Sequence, residues 1–425
     1  MSSESGPVTS TLTGRLRDDA DFRRYWAARI ASLSGSIVTA VAMPVLIYRL
    51  TASPGLTALT TTLEALPYLV VGLLAGALAD RLDRKRVMVV ADLLNVLVVG
   101  SVPLAWWLGV LTVPHVLVAA FCAQLLFTFF DGANFGALPV LVGRARVGEA
   151  NAAIWGFGGV LDLLMPAAAG ALLAVLHPAD LLAVDALSYA VSAMLVRSIG
   201  RALSVTRGPG PPLRPRGVWA DVVDGTRFLW GHARVRSNTI VGALQSVAGA
   251  GFMALVVPWA DRVLHIGTSG WRFGVLYSVW GIGGIAASAM TPRLLRRVGA
   301  ARLTLLAMPV SAVAGIAVAA STHWLVASAL TAFWGLAYQL VIINALNYRQ
   351  EVTPEHLLSR VNTAARMLSW GLGWTVGATA AGALAQVVGV RTAMLTMVCC
   401  AVVAVVFGWL SPLRDASSLP APDEV

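Results

Sequence analysis

Charge is scarce in this chain, and its scarcity excludes an ordinary soluble domain. Charged residues make up 12% of the 425 residues and hydrophobic residues 57%, with a mean hydropathy of +0.76. Soluble proteins are on average about one quarter charged, so a soluble domain of this length has no way to bury so large an apolar fraction. A lipid bilayer accepts such a chain, because each crossing takes about 20 apolar residues. The composition therefore predicts an all-α integral membrane protein.

The sequence lacks the residue patterns that enzymes use for catalysis and metal binding. The three cysteines lie inside apolar runs, without metal-ligand spacing or a disulfide framework: Cys122, Cys399 and Cys400. The sequence has no phosphate-binding loop, no cluster of metal ligands and no nucleophile beside a base. We therefore expect no enzymatic activity, no cofactor, no metal and no use of ATP.

The basic residues that give the chain its net charge of +10 lie between the apolar runs, mainly in every second gap. This distribution follows the positive-inside rule of membrane topology, and it argues against a nucleic-acid-binding surface. Under that rule both termini are cytoplasmic. The first 24 residues are polar and the first apolar run has full length, so no cleavable leader is expected.

Twelve apolar runs are long enough to span a membrane. They lie at about 25–49, 57–79, 87–109, 114–140, 151–176, 179–199, 238–263, 271–295, 302–320, 323–347, 361–387 and 389–411. The predicted organisation is a cytoplasmic segment at 1–24, a six-helix bundle at 25–199, a linker at 200–237, a second six-helix bundle at 238–411 and a cytoplasmic tail at 412–425.

The linker contains an amphipathic stretch, "VWADVVDGTRFLWGHARV". Its apolar residues share one helical face: Trp219, Val222, Val223, Leu229 and Trp230. This pattern predicts a helix at the cytoplasmic membrane surface that tethers the two bundles.

The two halves repeat each other at an offset of about 212 residues. "ADRLDRKR" at 79–86 aligns with "TPRLLRRV" at 291–298, and "AAAGALLAVL" at 167–176 aligns with "TAAGALAQVV" at 379–388. Matches in one orientation predict two parallel repeats, the arrangement in which transporters bind substrate at the repeat interface near the membrane midplane.

The turn between spans 2 and 3 resembles a known family. "GALADRLDRKR", from Gly76 to Arg86, resembles the signature turn of the major facilitator superfamily, with Asp83 where glycine is usual. Further stretches resemble its drug:proton antiporter branch, which includes macrolide-efflux proteins and the enterobactin exporter: "FRRYWAARIASLSGSIVTAVAMPVLIYRLT", "VDALSYAVSA" and "NYRQEVTPEHLLSRVNTAAR". The resemblance implies the major facilitator fold in a bacterial cytoplasmic membrane, as a monomer.

The charged turn is predicted to be a conformational latch rather than a binding site. Asp80 ends span 2, and span 11 begins on the same side with the partial positive charge of a helix N-terminus. Arg81 and Arg84 would hold Asp80 ionised and oriented, and Gly76 completes the motif. A plain solvated turn is the alternative.

Acidic residues inside spans are costly and usually functional. A proton-coupled exporter needs a carboxylate that binds and releases a proton as the site alternates between the two membrane faces. By depth, the candidates are Asp131 in span 4, Asp162 in span 5 and Glu64 in span 2. Spans 1–6 are expected to hold no deep basic residue that would neutralise these acids. We assign Asp92 to the network around the latch and Asp185 to a structural role.

Aromatic and amide side chains away from the predicted membrane interfaces are the candidates for substrate contact: Trp334, Tyr338, Gln245 and Trp280. Together these features favour a transporter that exports a hydrophobic or amphipathic small molecule, such as a drug, antibiotic or siderophore-like compound, in exchange for protons. An importer or facilitator of a metabolite with the same fold is the alternative. A scaffold or receptor is disfavoured, because it needs neither the repeat nor the buried acids.

Overall fold

The computed structural model describes residues 15–79, 81–204 and 215–416, and these residues are almost entirely helical. The helices are α1 (Ala20–Thr51), α2 (Pro54–Ala79), α3 (Arg84–Trp107), α4 (Val113–Val142), α5 (Val147–Leu172), α6 (Pro178–Arg197), α7 (Pro215–Gly231), α8 (Ala233–Arg262), α9 (Trp271–Val298), α10 (Ala300–Ala320), α11 (Trp324–Val352), α12 (Glu355–Arg366), α13 (Trp374–Val388), α14 (Val390–Leu410) and α15 (Leu413–Ala416). A π-helical turn, Met367–Gly373, joins α12 to α13.

Among the described residues, eleven helical stretches are long and apolar enough to cross a membrane. They are α1, α3–α6, α8–α11, α14 and the continuous stretch Arg360–Val388. The 26-residue helix α2 coincides with predicted span 2. These helices confirm the prediction of an all-helical membrane protein. Long apolar runs form helices in lipid because a helix satisfies its backbone hydrogen bonds internally.

The connections between helices follow local sequence signals. Asp19 caps α1 by accepting hydrogen bonds from the backbone amides of Asp21 and Phe22, and Asp83 caps α3 by accepting one from Arg86. His177 and Asp180 form a capping box at the start of α6. Each cap satisfies amide groups that the first turn of a helix leaves unpaired.

The long helices fall into two groups. Helices α1–α6 pack chiefly on one another, with α6 against both α1 and α3, and helices α8–α14 pack in the same way around α8 and α11. The groups meet where α5 packs on α9 and where α2 packs on α13 and on the π-helical turn. We call the end at which Leu16 and Leu413 lie the terminal end, and the opposite end, where α1 finishes at Thr51, the distal end.

Helix α7 packs on α12, and its amphipathic pattern did not predict this contact. Leu229 is fully buried there, and a Cβ on Gly225 would lie 2.7 Å from the backbone of Arg360. Val223 and Trp230 are exposed, whereas the side chains of Trp219 and Val222 lie outside the described part of the chain. The linker helix therefore adheres to the start of the eleventh span.

Candidate functional site

The interface between the two helical groups is built on small residues. A Cβ on Gly170 of α5 would lie 2.4 Å from the Cα of Gly274 of α9, and the amide of Gly270 donates to the carbonyl of Gly170 at 2.7 Å. On the other side, a Cβ on Gly371 would lie 3.1 Å from the Cα of Leu69 in α2. Small residues let backbones approach this closely, so helices of the two groups touch directly on both sides of the interface.

Polar contacts join the groups at the distal end. The hydroxyl of Tyr48 donates to Asp261 at 2.8 Å, and Arg262 Nε donates to the same hydroxyl at 3.0 Å. Arg262 also reaches the carbonyl oxygen of Ala52, and Arg49 donates to Thr268 at 3.2 Å. We call Tyr48, Asp261 and Arg262 the distal latch.

Asp131 takes part in a contact between the groups nearer the terminal end. The hydroxyl of Tyr68 in α2 donates to Asp131 Oδ2 at 2.9 Å. Arg366, from α12 of the second group, places its guanidinium carbon 5.6 Å from the centre of the Tyr68 ring and 5.7 Å from that of Phe135. Cation–π contacts of this kind are attractive. The cluster therefore ties a carboxylate of the first group to a cation of the second.

Asp162 occupies an open position between the groups. Gly158 faces Leu33 of α1 and Gly159 faces Ile285 of α9, and Asp162 is one turn further along α5 from both. Its side chain is therefore aimed at the space between α1 and α9. It is exposed, and it has no hydrogen-bond or ion-pair partner among the residues that the structure describes.

Glu64 lies ten residues into α2, about 15 Å along the helix from its distal start. It lies near Tyr277 of α9, so it also faces the second group. All three predicted coupling acids therefore border the interface, although no contact with one another is found within the described residues.

Sequence reasoning overlooked a buried basic residue in the first third of α1. Arg29 of α1 is 3% exposed and stacks on Phe130 of α4, with 5.3 Å between the guanidinium carbon and the ring centre. Because α1 begins at Ala20, five residues before the predicted span, Arg29 lies about 14 Å inside the helix. Sequence reasoning also overlooked Arg366, although predicted span 11 contains it.

The predicted latch at the signature turn is described only in part. Gly76 lies in α2, Arg81 lies in the turn, and Asp80 is outside the described residues. Arg84 Nη1 donates to the carbonyl of Gly136 in α4 at 2.9 Å, which anchors the turn to the first group. The predicted pairing of Asp80 with the arginines and with the eleventh span stays a prediction.

The predicted substrate contacts form a compact aromatic cluster in the second group. Trp334 and Gln245 are fully buried, and both bond to the hydroxyl of Ser311, Trp334 Nε1 at 3.1 Å. Tyr338 is 6% exposed, and Trp280, 5.1 Å away between ring centres, is partly exposed. In this conformation Trp280 offers the most surface to a ligand, and the other three pack behind it.

Potential metal ligands are not clustered in the described part of the chain. Within it, no group of three or more histidine, cysteine, aspartate or glutamate side chains is arranged to hold a metal ion. The three cysteines are free thiols.

Two apposed helical groups with acids along their interface are the architecture of a transporter with alternating access. Residues 10–423 match the family described as transmembrane secretion effector. The chain belongs to this family, within the major facilitator superfamily. It is therefore a multi-pass membrane transporter for a small molecule and not an enzyme, as predicted.

Two curated relatives confirm the resemblance to the export branch. The multidrug efflux pump Tap of Mycolicibacterium fortuitum is 30% identical over 389 residues, which cover 87% of this chain and 90% of the pump. The enterobactin exporter EntS of Citrobacter koseri is 25% identical over 354 residues, which cover 82% of this chain and 81% of the exporter.

Solved structures confirm the fold. The nucleoside transporter NupG superposes with a TM-score of 0.71 at 11% identity, over 93% of this chain and all of that one. A bacterial homologue of the iron transporter ferroportin, in an inward-facing state, superposes with a TM-score of 0.70 at 16% identity, over 96% of this chain and all of that one.

Proposed function

We propose that this transporter exports a hydrophobic or amphipathic small molecule across the bacterial cytoplasmic membrane, driven by proton entry. The efflux activities in the names of Tap and EntS support the direction and the substrate class. The cluster of Asp131, Tyr68 and Arg366 supports the coupling, because Tyr68 contacts both a carboxylate of its own helical group and a cation of the other group.

The proposed topology has twelve spans, because α2 is added to the eleven helical stretches named above. Both termini are proposed to be cytoplasmic. The positive charge between α2 and α3 and at the ends of the chain supports this orientation. The distal end is then the outer end, which the distal latch holds closed, and the two groups move as separate bundles. Asp80 is proposed to hold the cytoplasmic end closed in the opposite state.

The proposed coupling step is a change in the charge of Asp131. When ionised, Asp131 accepts the hydrogen bond of Tyr68 and adds negative charge beside Arg366, which favours contact between the groups. When Asp131 binds a proton, that attraction is lost and α12 is released. Asp162 and Glu64, which also border the interface, are the other proton-binding candidates.

The proposed substrate path runs between the groups, past Asp162 of the first group and Trp280 of the second. Apolar and aromatic walls with few polar anchors suit lipophilic compounds. Tyr338, Trp334 and Gln245 would shape the wall behind Trp280, and contact substrate only when the bundle repacks.

Transport in everted membrane vesicles tests this proposal. A pH gradient is imposed, and uptake of a panel of lipophilic dyes and antibiotics is followed in wild type, Asp131→Asn and Glu149→Gln. Glu149 is the matched control, because it is an exposed carboxylate whose ion pair among the described residues is with Arg146 of its own group, at 3.2 Å.

We expect a protonophore to abolish wild-type uptake. Asp131→Asn should lower gradient-driven uptake by about tenfold or more, which corresponds to about 1.4 kcal/mol, yet retain substrate exchange without a gradient. Glu149→Gln should match wild type. Uptake that survives the protonophore would contradict proton coupling and favour a facilitator. Proton-driven uptake that survives Asp131→Asn would move the coupling role to Asp162 or Glu64.

A further inference from the structure

The first helical group contains a second set of charged side chains, away from its interface with the other group. Arg29 of α1, Asp92 of α3 and Asp185 of α6 are all at least 97% buried. Asp185 is well partnered, since it accepts hydrogen bonds from Thr39 at 2.5 Å and Ser188 at 3.0 Å. Sequence analysis assigned Asp92 to the network around the predicted latch, whereas the structure places it in this buried set, eight residues into α3.

Several buried polar atoms around Asp92 lack hydrogen-bond partners within the described residues. They are Asp92 Oδ2, Asn95 Oδ1 and Ser192 Oγ, together with Arg29 Nε and Nη1. Asn95 is one helical turn from Asp92, so the two side chains share a face of α3, and Ser192 lies beside Asp92. The Ser192 hydroxyl can donate to only one of the two acceptor oxygens, Asp92 Oδ2 and Asn95 Oδ1. An acceptor left without a donor is costly in a protein interior.

The buried charges around Asp92 do not balance if every acid is ionised. Arg29 then faces two carboxylates, and the core keeps one uncompensated negative charge, which is strongly unfavourable in a membrane-embedded bundle. Other titratable groups do not change this count. Tyr189 of α6 is neutral and bonds to Ser36 at 3.1 Å, His115 of α4 bonds to Ser101, and Asp131 of α4 bonds to Tyr68.

We propose that Asp92 is a second proton-binding site of this transporter, and that it holds its proton in the conformation described here. A proton on Oδ2 turns an unpartnered acceptor into a donor, for which Asn95 Oδ1 is the available acceptor. It also leaves one positive and one negative charge in the core, Arg29 and Asp185.

Arg29 connects this second site to the proposed coupling group. Tyr25 lies near both Arg29 and Asp131, and Arg29 also lies near Asp92. Loss of the proton from Asp92 would draw Arg29 away from Phe130 and from the Asp131 side. This link, unlike the proton on Asp92 itself, rests on the proposed proton coupling.

Infrared spectroscopy of the full-length protein in liposomes at neutral pH tests the site directly. A protonated carboxylic acid has a carbonyl stretching band that an ionised carboxylate lacks, and the band shifts when the proton is exchanged for deuterium. Spectra are compared for wild type, Asp92→Asn, Asp131→Asn and the matched control Asp83→Asn, which changes the exposed carboxylate that caps the same helix.

We expect Asp92→Asn to remove one component of this band, and Asp83→Asn and Asp131→Asn to leave that component in place. If Asp92→Asn does not fold, Asn95→Ala provides the second test. It should retain the component but move it to the frequency of a carboxylic acid without its hydrogen-bond acceptor.

A band unaffected by both Asp92→Asn and Asn95→Ala would overturn the proposal, because Asp92 would then be ionised. The result does not depend on transport. Proton-independent transport would contradict the proposed function while leaving this component of the band in place.

Discussion

At the scale of single residues, Asp83 explains the departure from the usual signature turn. Glycine is usual at this position in the family that the turn resembles, yet Asp83 has an ordinary negative φ of −65°, so no glycine is required. Its carboxylate accepts from the backbone amide of Arg86 at 3.1 Å and starts α3. The substitution therefore exchanges flexibility for a helix cap.

Because Asp19 forms an ion pair with Arg201, we expect the folded state to lose stability in acid. Burial raises the pKa of Asp19, but the hydrogen bond from Arg201 and those from the amides of Phe22 and Asp21 outweigh it, so the pKa lies below its ordinary value. A carboxyl with a lowered pKa stabilises the folded state above its unfolded pKa of about 4, and this contribution disappears as pH falls through the folded pKa.

We therefore expect Asp19→Asn to be less stable than wild type near neutral pH, with a difference that vanishes in acid. Thermal unfolding of the purified protein across this pH range measures the difference. An equal difference at every pH would show that the cap, and not the charge, accounts for the loss.

At the scale of helices, the contact of α5 with α9 depends on glycine at one point. A Cβ on Gly170 would overlap the backbone of Gly274, which cannot move aside like a flexible side chain. Gly156, in the same helix, has nothing within 4 Å of the position of a Cβ. The two glycines of α5 therefore form a matched pair for substitution.

We predict that Gly170→Ala separates α5 from α9 and costs about 1–3 kcal/mol, the usual range for overpacking. Gly156→Ala should be neutral or slightly stabilising, because alanine favours helix. Thermal unfolding and transport of both variants test this prediction. Equal behaviour of the two would mean that the helices do not meet at Gly170.

At the scale of the whole molecule, the distal latch is predicted to set the balance between two conformations. Tyr48→Phe removes two hydrogen bonds between the groups, and each contributes about 1 kcal/mol. The ratio of closed to open distal ends should therefore fall by about five- to thirtyfold.

Spin labels at Val110 and His323, on exposed connections at the distal end of each group, report this change as longer distances. The labelled background has alanine in place of the three native cysteines. Thr51→Val is the control, because Thr51 Oγ1 bonds within its own helical group in the described part of the chain: it donates to Ile47 at 2.7 Å and accepts from the amide of Ser53 at 3.2 Å. A distance distribution that Tyr48→Phe leaves unchanged would contradict the latch.

The positions of the spans could be predicted from the sequence alone. Predicted spans 25–49 and 302–320 compare with Ala20–Thr51 and Ala300–Ala320 in the structure. The agreement has a simple cause, since a chain in lipid must satisfy its backbone within each segment and must keep apolar side chains outward. Both constraints are local, and composition along the chain records them. The same locality allowed Asp131, Asp162 and Glu64 to be recognised as acids inside spans.

What these acids contact was decided by tertiary structure. Arg366 lies 235 residues from Asp131 along the chain (366 minus 131), and Tyr68 and Arg366 reach the same place only because α2 packs against the eleventh span. Arg29 of α1 and Asp92 of α3 likewise lie near each other only in the folded molecule. The sequence by itself determined a helical membrane transporter, because hydrophobicity is a property of each segment. The pairing of charges depends on which helix faces meet, and that is a property of the packed molecule.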